Sequence, residues 1–518
     1  MNPRRSGQPS CNGLPGLRTC LLLVFVASGA IVTEAARSVP TYGATDGGPS
    51  VLLSNADGRN PYSGIVRYIG RAQCTGVFVA TIHDGEDPRD APAYVLTNGH
   101  CPEFPGANDV FVDRPAPSNH RVLFNYFADT ATRQFSVPVS RIAYATMKGQ
   151  DVAVLELAAR YNDIVRSGFE PWPVTLALPA PDEPVVVVGA PLTGTAATSF
   201  LRLAACQLES RAKAVLEFIW HWFDYARNRC SDISAGSSGS PVISRLTGRL
   251  LGLVSTTTIG AVRYTECFLN HPCEAISRDV ASQANTSYMT PLVRVDRCFD
   301  QSGQFDVARE GCPLDSGLQV GVTPPFLGAE NPRRDSGLLG PSRRSWNVTV
   351  SGQFDHYRYK VVAAASGDCR DLRGYGMSRR VSDARVIDDP LPQAESYHFL
   401  CVIGGRGTRW GDRWQSLDHP TIVAVRIDTI PPRIPARITV REGDLSWFVA
   451  FGTIDPEISG YVYKVGRPSE TRCDDPADYR GAMIPFIALP KANRPYVFCA
   501  IPHDSALNPG MTFEALLP

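Results

Sequence analysis

Twelve of the fourteen cysteines fall into six sequence-adjacent pairs, and this restricts the chain more than any other feature. The pairs are Cys74/Cys101, Cys206/Cys230, Cys267/Cys273, Cys298/Cys312, Cys369/Cys401 and Cys473/Cys499. The other two, Cys11 and Cys20, lie in an N-terminal stretch with the form of a secretory signal. Arg4, Arg5 and Arg18 precede or border the apolar run Leu21-Leu22-Leu23-Val24-Phe25-Val26-Ala27, and cleavage after Ala30 or after Ala36 both fit. That run is well short of the ~20 residues a membrane span requires. No later run is long enough either, so the chain is expected to be exported and soluble. Export makes an even set of cysteines a bridged framework. Its connectivity is left open by sequence, but nearest-neighbour pairing keeps each bridge inside one domain. Zinc fits poorly, since no Cys-x-x-Cys or paired Cys/His spacing occurs.

A length of 518 residues exceeds what one core supports, so about three domains are expected. Lys plus Arg number 51 and Asp plus Glu number 51, which argues against a protein built to bind nucleic acid. With 44 glycines, 42 prolines and only 20% charged residues, loop-rich β domains suit the composition better than helical ones. Residues 37–62 are rich in Gly, Ser, Asp and Pro and read as a propeptide or flexible lead-in. Strands are expected at Ser63–Ile69, Cys74–Ala80, Tyr94–Thr97, Val152–Leu157, Val185–Val188 and Leu250–Ser255, with Thr256 to Thr258 continuing the last. Phe218–Tyr225 is aromatic enough for a strand, while Leu208–Phe218 fits a strand or a helix. A turn-rich insert spans His83 to Pro92.

Three short stretches carry chemistry. In Ser234-Ala235-Gly236-Ser237-Ser238-Gly239-Ser240-Pro241, glycines flank Ser238 and permit a tight turn. That turn can aim the amides of Gly236 and Ser238 at one point, as an oxyanion hole requires. A serine hydroxyl needs a base to take its proton, and His100 follows the strand Tyr94–Thr97 in a small-residue turn that Cys101 can tie back to Cys74. Asp151 opens an apolar strand, where a carboxylate can orient an imidazole. Taken singly, each has a plainer reading: a flexible Gly/Ser loop, a packed or surface histidine, a strand-edge acid.

Together they resemble a known family. From about Ser63 to Cys298 the chain resembles the chymotrypsin-fold (trypsin-like) serine peptidases. Leu96-Thr97-Asn98-Gly99-His100-Cys101 is similar to their histidine motif, Asp151-Val152-Ala153-Val154-Leu155 to their aspartate motif, and Gly236-Ser237-Ser238-Gly239-Ser240-Pro241 to their serine motif. The order His, Asp, Ser is also that family's. The resemblance implies a double β-barrel and a secreted serine endopeptidase that cuts peptide bonds through an acyl-enzyme. His100 is then the base, Asp151 its orienting acid and Ser238 the nucleophile, with no metal and no organic cofactor. Ser237 stands where trypsin-like zymogens carry an acid for the new N-terminus, and this GxSGSP form is closer to secreted glutamyl endopeptidases. Trypsin-style activation is therefore not implied. Asp232, six residues before Ser238, occupies the place of the pocket acid of Arg/Lys-specific members, so an Arg/Lys preference is expected. Acidic or small apolar specificity is the alternative. Ser255, Thr256 and Thr257 are expected to form the pocket wall that pairs with an extended substrate. A non-catalytic binding protein on the same scaffold is the reading from another class.

The last third repeats itself. Tyr357-Arg358-Tyr359-Lys360-Val361 is echoed by Tyr461-Val462-Tyr463-Lys464-Val465, and Cys369 and Cys473 follow at matching offsets. Each unit then has an aromatic strand ending in Cys401 or Cys499. The expected organisation is all-β: a signal over 1–36, a lead-in over 37–62, a peptidase-like double barrel over 63–312, a linker over 313–345, and β-sandwich repeats over 346–430 and 431–518. Asp428-Thr429-Ile430-Pro431-Pro432 resembles linkers between immunoglobulin-like or fibronectin-III-like modules. Such modules either bind a surface, a glycan or a protein, or act as spacers; Trp410 and Trp414 are read either as aromatics that contact a glycan or protein or as core residues.

Overall fold

The structure, a computed structural model, describes residues 39–518 except 82–90, 195–198, 262–266, 277–278, 316–319, 336–337, 407–413, 453–456, 483–485 and 494. The expected signal, most of the His83–Pro92 insert and Trp410 lie outside the described residues. The chain is nearly all β. No described helix is long and apolar enough to cross a membrane.

After β1 (Val51–Leu52), seven strands build the first barrel: β2 (Ile65–Ile69), β3 (Gln73–Phe78), β4 (Pro92–Thr97), β5 (Val110–Pro115), β6 (Arg121–Phe124), β7 (Phe135–Thr146) and β8 (Val152–Arg160). Six of them close a ring in the order β7-β6-β2-β3-β4-β8, with β5 added outside on β7. The second barrel is the closed ring β10-β13-β18-β15-β14-β9, from β9 (Pro184–Gly189), β10 (Arg202–Arg211), β13 (Ala226–Asn228), β14 (Pro241–Ser244), β15 (Leu250–Thr257) and β18 (Ser287–Pro291). Between β10 and β13 the hairpin β11 (Ala214–Glu217) and β12 (Trp220–Phe223) projects, joined by β16 (Cys273–Ile276) and β17 (Asp279–Ala281) into a small separate sheet.

The apolar strands are continuous because both of their faces are covered. Val152 and Val154 of β8 join a cluster shared by the two barrels, whereas Ala153 and Leu155 fill one confined to the first barrel. Val186 and Val188 of β9 likewise face the shared cluster, and Val185 and Val187 fill the second barrel's own. Side chains alternate along a strand, so one run of valines serves two cores. All six cysteine pairs are bridged between nearest neighbours.

Two expected connectors are structured. Residues 39–62 are not a loose lead-in: β1 pairs with β10, Asp46 bridges to Ala205, and the Tyr62 ring stacks on Trp172 at 5.7 Å. The supposed linker 313–345 contains β19 (Val320–Thr323) and β20 (Ala329–Glu330), which pair with β21 (Val348–Gly352) and with β26 (Thr421–Ile427). The first C-terminal module thus begins before residue 346. It includes β22 (His356–Ala363), β23 (Arg379–Arg380), β24 (Val386–Ile387) and β25 (Ser396–Gly405), in sheets β19-β21-β24 and β20-β26-β25-β22-β23. The second comprises β27 (Ile438–Glu442), β28 (Ser446–Phe451), β29 (Gly460–Gly466), β30 (Arg480–Gly481), β31 (Phe486–Pro490), β32 (Tyr496–His503) and β33 (Phe513–Leu517), in sheets β27-β28-β31 and β30-β29-β32-β33.

The repeat is visible in register. Lys360 lies opposite Cys401, and Lys464 opposite Cys499. Each lysine is buried in a cage of backbone carbonyls. Lys360 Nζ donates to Asp368 O (2.7 Å), Asp371 O (2.5 Å) and Arg373 O (3.1 Å), and Lys464 Nζ to Asp475 O (2.6 Å) and Ala477 O (3.2 Å). Each ammonium also lies 4.7 Å from a tyrosine ring, Tyr375 or Tyr479. Those tyrosine hydroxyls donate to Cys369 O and Cys473 O at 2.8 Å.

The first module packs on the β11–β12 hairpin. Ala214, Leu216 and Phe223 share a cluster with Ala364, Cys369, Phe399, Cys401, Ile422 and Ala424. His221, on the same face, lies 5.1 Å from the Phe399 ring, and burial pushes its pKa down to about 4, so the ring is neutral. Asp224 takes Arg370 at 2.5 Å, and Lys148 pairs with Asp315 at 2.8 Å in a buried setting. The hairpin's other face, Val215, Trp220 and Trp222, packs with Met147, Ala212, Tyr225 and Tyr288. Trp220 Nε1 donates to Pro105 O and Trp222 Nε1 to Met147 O, both at 3.0 Å. The hairpin is therefore held between the two barrels and the first module.

Candidate active site

His100 and Asp151 are in contact at the ends of β4 and β8, and the Ser238 loop is tied to the neighbouring β3. β4 and β8 are neighbours, with Thr97 opposite Ala153, so the turn after β4 and the residue before β8 emerge side by side. Asn98 Nδ2 donates to Asp151 O at 2.9 Å. Gly99 approaches the chain closely: a Cβ there would lie 2.0 Å from Thr146 O, so no other residue fits this turn unmoved. His100 Nδ1 stands 2.7 Å from Asp151 Oδ2, and the His100 amide donates to Oδ1 at 3.2 Å.

Asp151 is fully buried, and its environment is built for a charge. Ser255 Oγ donates to Oδ2 at 2.8 Å, and the Asp151 amide donates to Tyr225 Oη at 2.8 Å. Tyr225 stacks on Trp222 at 5.4 Å. Burial alone would lower the His100 pKa. The charge and hydrogen bond of Asp151, helped by the charge of Glu217, outweigh it and leave the imidazole above the ordinary histidine value.

Ser238 comes from the loop before β14. Its carbonyl accepts the Thr75 amide at 2.8 Å, and Thr75 adjoins Cys74, which is bridged to Cys101 beside His100. A backbone hydrogen bond and a disulfide thus connect the serine turn to the histidine turn. Gly239 has φ +79°, and a Cβ there would sit 2.1 Å from Thr75 O, so only glycine lets the loop approach β3. The amides of Gly236 and Ser238 have no hydrogen-bond acceptor among the described residues. The Ser238 hydroxyl is not hydrogen-bonded to His100; such bonds often form only when substrate is in place.

The loop is held without an acid at Ser237. The Ser237 amide donates to Ser234 O at 2.9 Å, and Ser237 Oγ accepts the Ser234 amide at 3.2 Å. Gly236 O accepts Thr75 Oγ1 at 3.0 Å and the buried Arg67 guanidinium at 3.5 Å; Arg67 also reaches Ala190 O at 2.6 Å.

Two expected pocket residues are placed otherwise. The Asp232 carboxylate accepts the Ser50 amide at 2.9 Å and the Ser50 hydroxyl, and Arg202 Nε donates to that hydroxyl at 2.8 Å. It anchors residues 39–62 instead of standing free as a pocket acid. Ser255 turns its hydroxyl to Asp151 and not to a pocket. Thr256 and Thr257 pair with Tyr288 and Ser287 of β18, while β14 pairs with β15 only as far as Leu253. Val254 still exchanges backbone hydrogen bonds with Gly239 and Ser240, at 2.9 Å each, and beyond it Ser255 to Thr257 carry no backbone hydrogen bond on that side among the described residues, as pairing with an extended chain requires. The sulfurs near His100 are Cys74 and Cys101; they are joined in a disulfide and so are not metal ligands. Sequence reasoning missed Glu217, Tyr225 and Arg67, whose contacts toward the site come from distant parts of the chain.

Residues 74–253 match the trypsin-like peptidase domain family, which supports a peptidase. No curated protein matches the chain. Among solved structures, the active form of the Rv3671c protease from M. tuberculosis is 18% identical, with TM-score 0.29, covering 55% of this chain and 98% of that one. Human heparin binding protein is 12% identical, with TM-score 0.29 and coverage of 48% and 92%. Neuropsin, a serine protease of mouse brain, is 13% identical, with TM-score 0.28 and coverage of 46% and 93%.

Proposed function

We propose that this chain is a secreted serine endopeptidase that works through Ser238, His100 and Asp151. The observation that carries the reading is the 2.7 Å contact between His100 and a buried Asp151, at the barrel junction to which the Ser238 loop is tied. His100 Nε2 takes the Ser238 proton as Oγ attacks the substrate carbonyl, while Asp151 holds Nδ1–H and stabilises the imidazolium. The developing oxyanion faces the Gly236 and Ser238 amides. The imidazolium then protonates the leaving amine, and water attacks the acyl-enzyme by the reverse path. The substrate backbone lies along the open edge at Thr256 and Thr257. With Asp232 engaged by Ser50, an Arg/Lys preference at the cut residue loses its acid and is not part of the proposal.

A fluorophosphonate probe is expected to label the mature protein and to leave Ser238→Ala unlabelled. Hydrolysis that resists the probe and stops with a chelator sinks the reading. Correctly folded protein that neither labels nor cleaves moves the weight to a binding role. His100 must be neutral to accept a proton, so kcat/KM rises with pH through its pKa. That pKa is raised, which puts the half-maximal point above the ordinary 6.5. A pH profile with its acid limb below 6.5 contradicts the assignment of the base.

A further inference from the structure

Glu217 closes β11, opposite Trp220. Strand alternation places it on the face with Val215, toward the barrels, and not on the face with Leu216 that meets the first module. The residue is 4% exposed. Oε1 accepts the Asn270 amide at 2.7 Å, whereas Oε2 is buried with no hydrogen-bond partner among the described residues. The Thr256 hydroxyl is a second hydrogen-bond donor to the carboxylate, whose charge also acts on His100 and Asp151. Thr256 directly follows Ser255, which touches Asp151 at 2.8 Å. A half-satisfied carboxylate is costly in a folded core, and this one stands next to the reacting groups.

We propose that Glu217 is the acid of a cation-accepting subsite beside His100, which takes the Lys or Arg side chain of the substrate residue immediately before the one whose carbonyl is attacked. This rests on the peptidase reading above. An extended substrate paired with the Thr256–Thr257 edge points successive side chains to opposite sides. If the cut residue points into the second barrel's pocket, the one before it points toward His100 and Thr256, where Glu217 is. A lone carboxylate is too few ligands for a divalent metal, but suits an ammonium or one arm of a guanidinium. Phe218 and Leu269, the chain neighbours of Glu217 and Asn270, are 50% and 48% exposed and offer apolar surface to a long aliphatic stem. Burial raises the Glu217 pKa ahead of every other influence, and an arriving cation favours its ionised form.

The test uses the full chain and two peptide libraries with the cut residue randomised. They are identical except for Arg or citrulline at the preceding position, so shape is kept and charge is lost. The arginine library is expected to be cleaved with roughly 10- to 100-fold higher kcat/KM. That ratio should collapse toward one in Glu217→Gln and stay intermediate in Glu217→Asp. Equal cleavage of the two libraries by the unaltered protein overturns the proposal, as does a preference that Glu217→Gln retains. Because the libraries compare substrates on one protein, a misfolded variant does not decide the question. If fluorophosphonate labels Ser238 while the libraries are cut equally, the subsite falls and the peptidase reading stands. If there is neither labelling nor cleavage, both fall.

Discussion

Asp151→Asn is expected to lower kcat by roughly 10⁴-fold near neutral pH while leaving the fold in place. The size follows from the tautomer. Oδ2 accepts from both His100 Nδ1, at 2.7 Å, and Ser255 Oγ, at 2.8 Å, while Oδ1 accepts the His100 amide. In the variant, the backbone bond holds the amide oxygen at Oδ1, so the NH2 group replaces Oδ2. It then donates where the imidazole also donates. The ring responds by carrying its proton on Nε2, so the nitrogen proposed to take the Ser238 proton is already occupied. The shape is unchanged and the Asp151 amide still meets Tyr225 Oη, so the thermal midpoint should move little. Steady-state rates with circular dichroism check this. A loss under about ten-fold would remove Asp151 from the machinery.

The second large effect is expected far from the catalytic groups. Phe399 is 1% exposed in the first C-terminal module, 5.1 Å from His221 and 6.3 Å from Phe223. Phe399→Ala should destabilise the protein by about 3–5 kcal/mol, as a large cavity in a dry contact does. It should also lower kcat/KM by about ten-fold at temperatures where the variant is folded, because a small misplacement of cleft-forming groups is kinetically expensive. The hairpin whose back meets Phe399 turns Glu217 toward His100. Denaturant midpoints measured beside kcat/KM separate the two consequences. A variant that is destabilised but keeps full kcat/KM would make the module a stabiliser alone.

What could be read from the chain, and what could not, divides by distance. The barrel strands were legible because continuous apolar runs suffice when both faces are buried, as in Val185–Val188. The cysteine pairing was legible because each bridge closes a short local loop. The turns bearing His100, Asp151 and Ser238 were legible from their small residues and their place after or before strands. The direction of Asp232 was not, since it depends on Ser50, 182 residues earlier. The order of residues 39–62 was also hidden, because β1 has only two residues and its partner lies in β10. Nothing local marks Glu217 in the sequence; only its cross-chain neighbours distinguish it. Residues 313–345 contain strands too short to stand out from their turns.

The two caged lysines bear on the surroundings in which the C-terminal modules can keep their shape. A ring of carbonyl oxygens calls for positive charge, and loops of that kind can be closed by an ion drawn from the medium. Here Lys360 and Lys464 supply the charge on a tether, at a local concentration set by the side chain and not by the solution. The charge that these carbonyls accept comes from the chain itself. The two C-terminal units carry their own counter-charge, and in both the strand that delivers it lies opposite the cysteine strand in the same register.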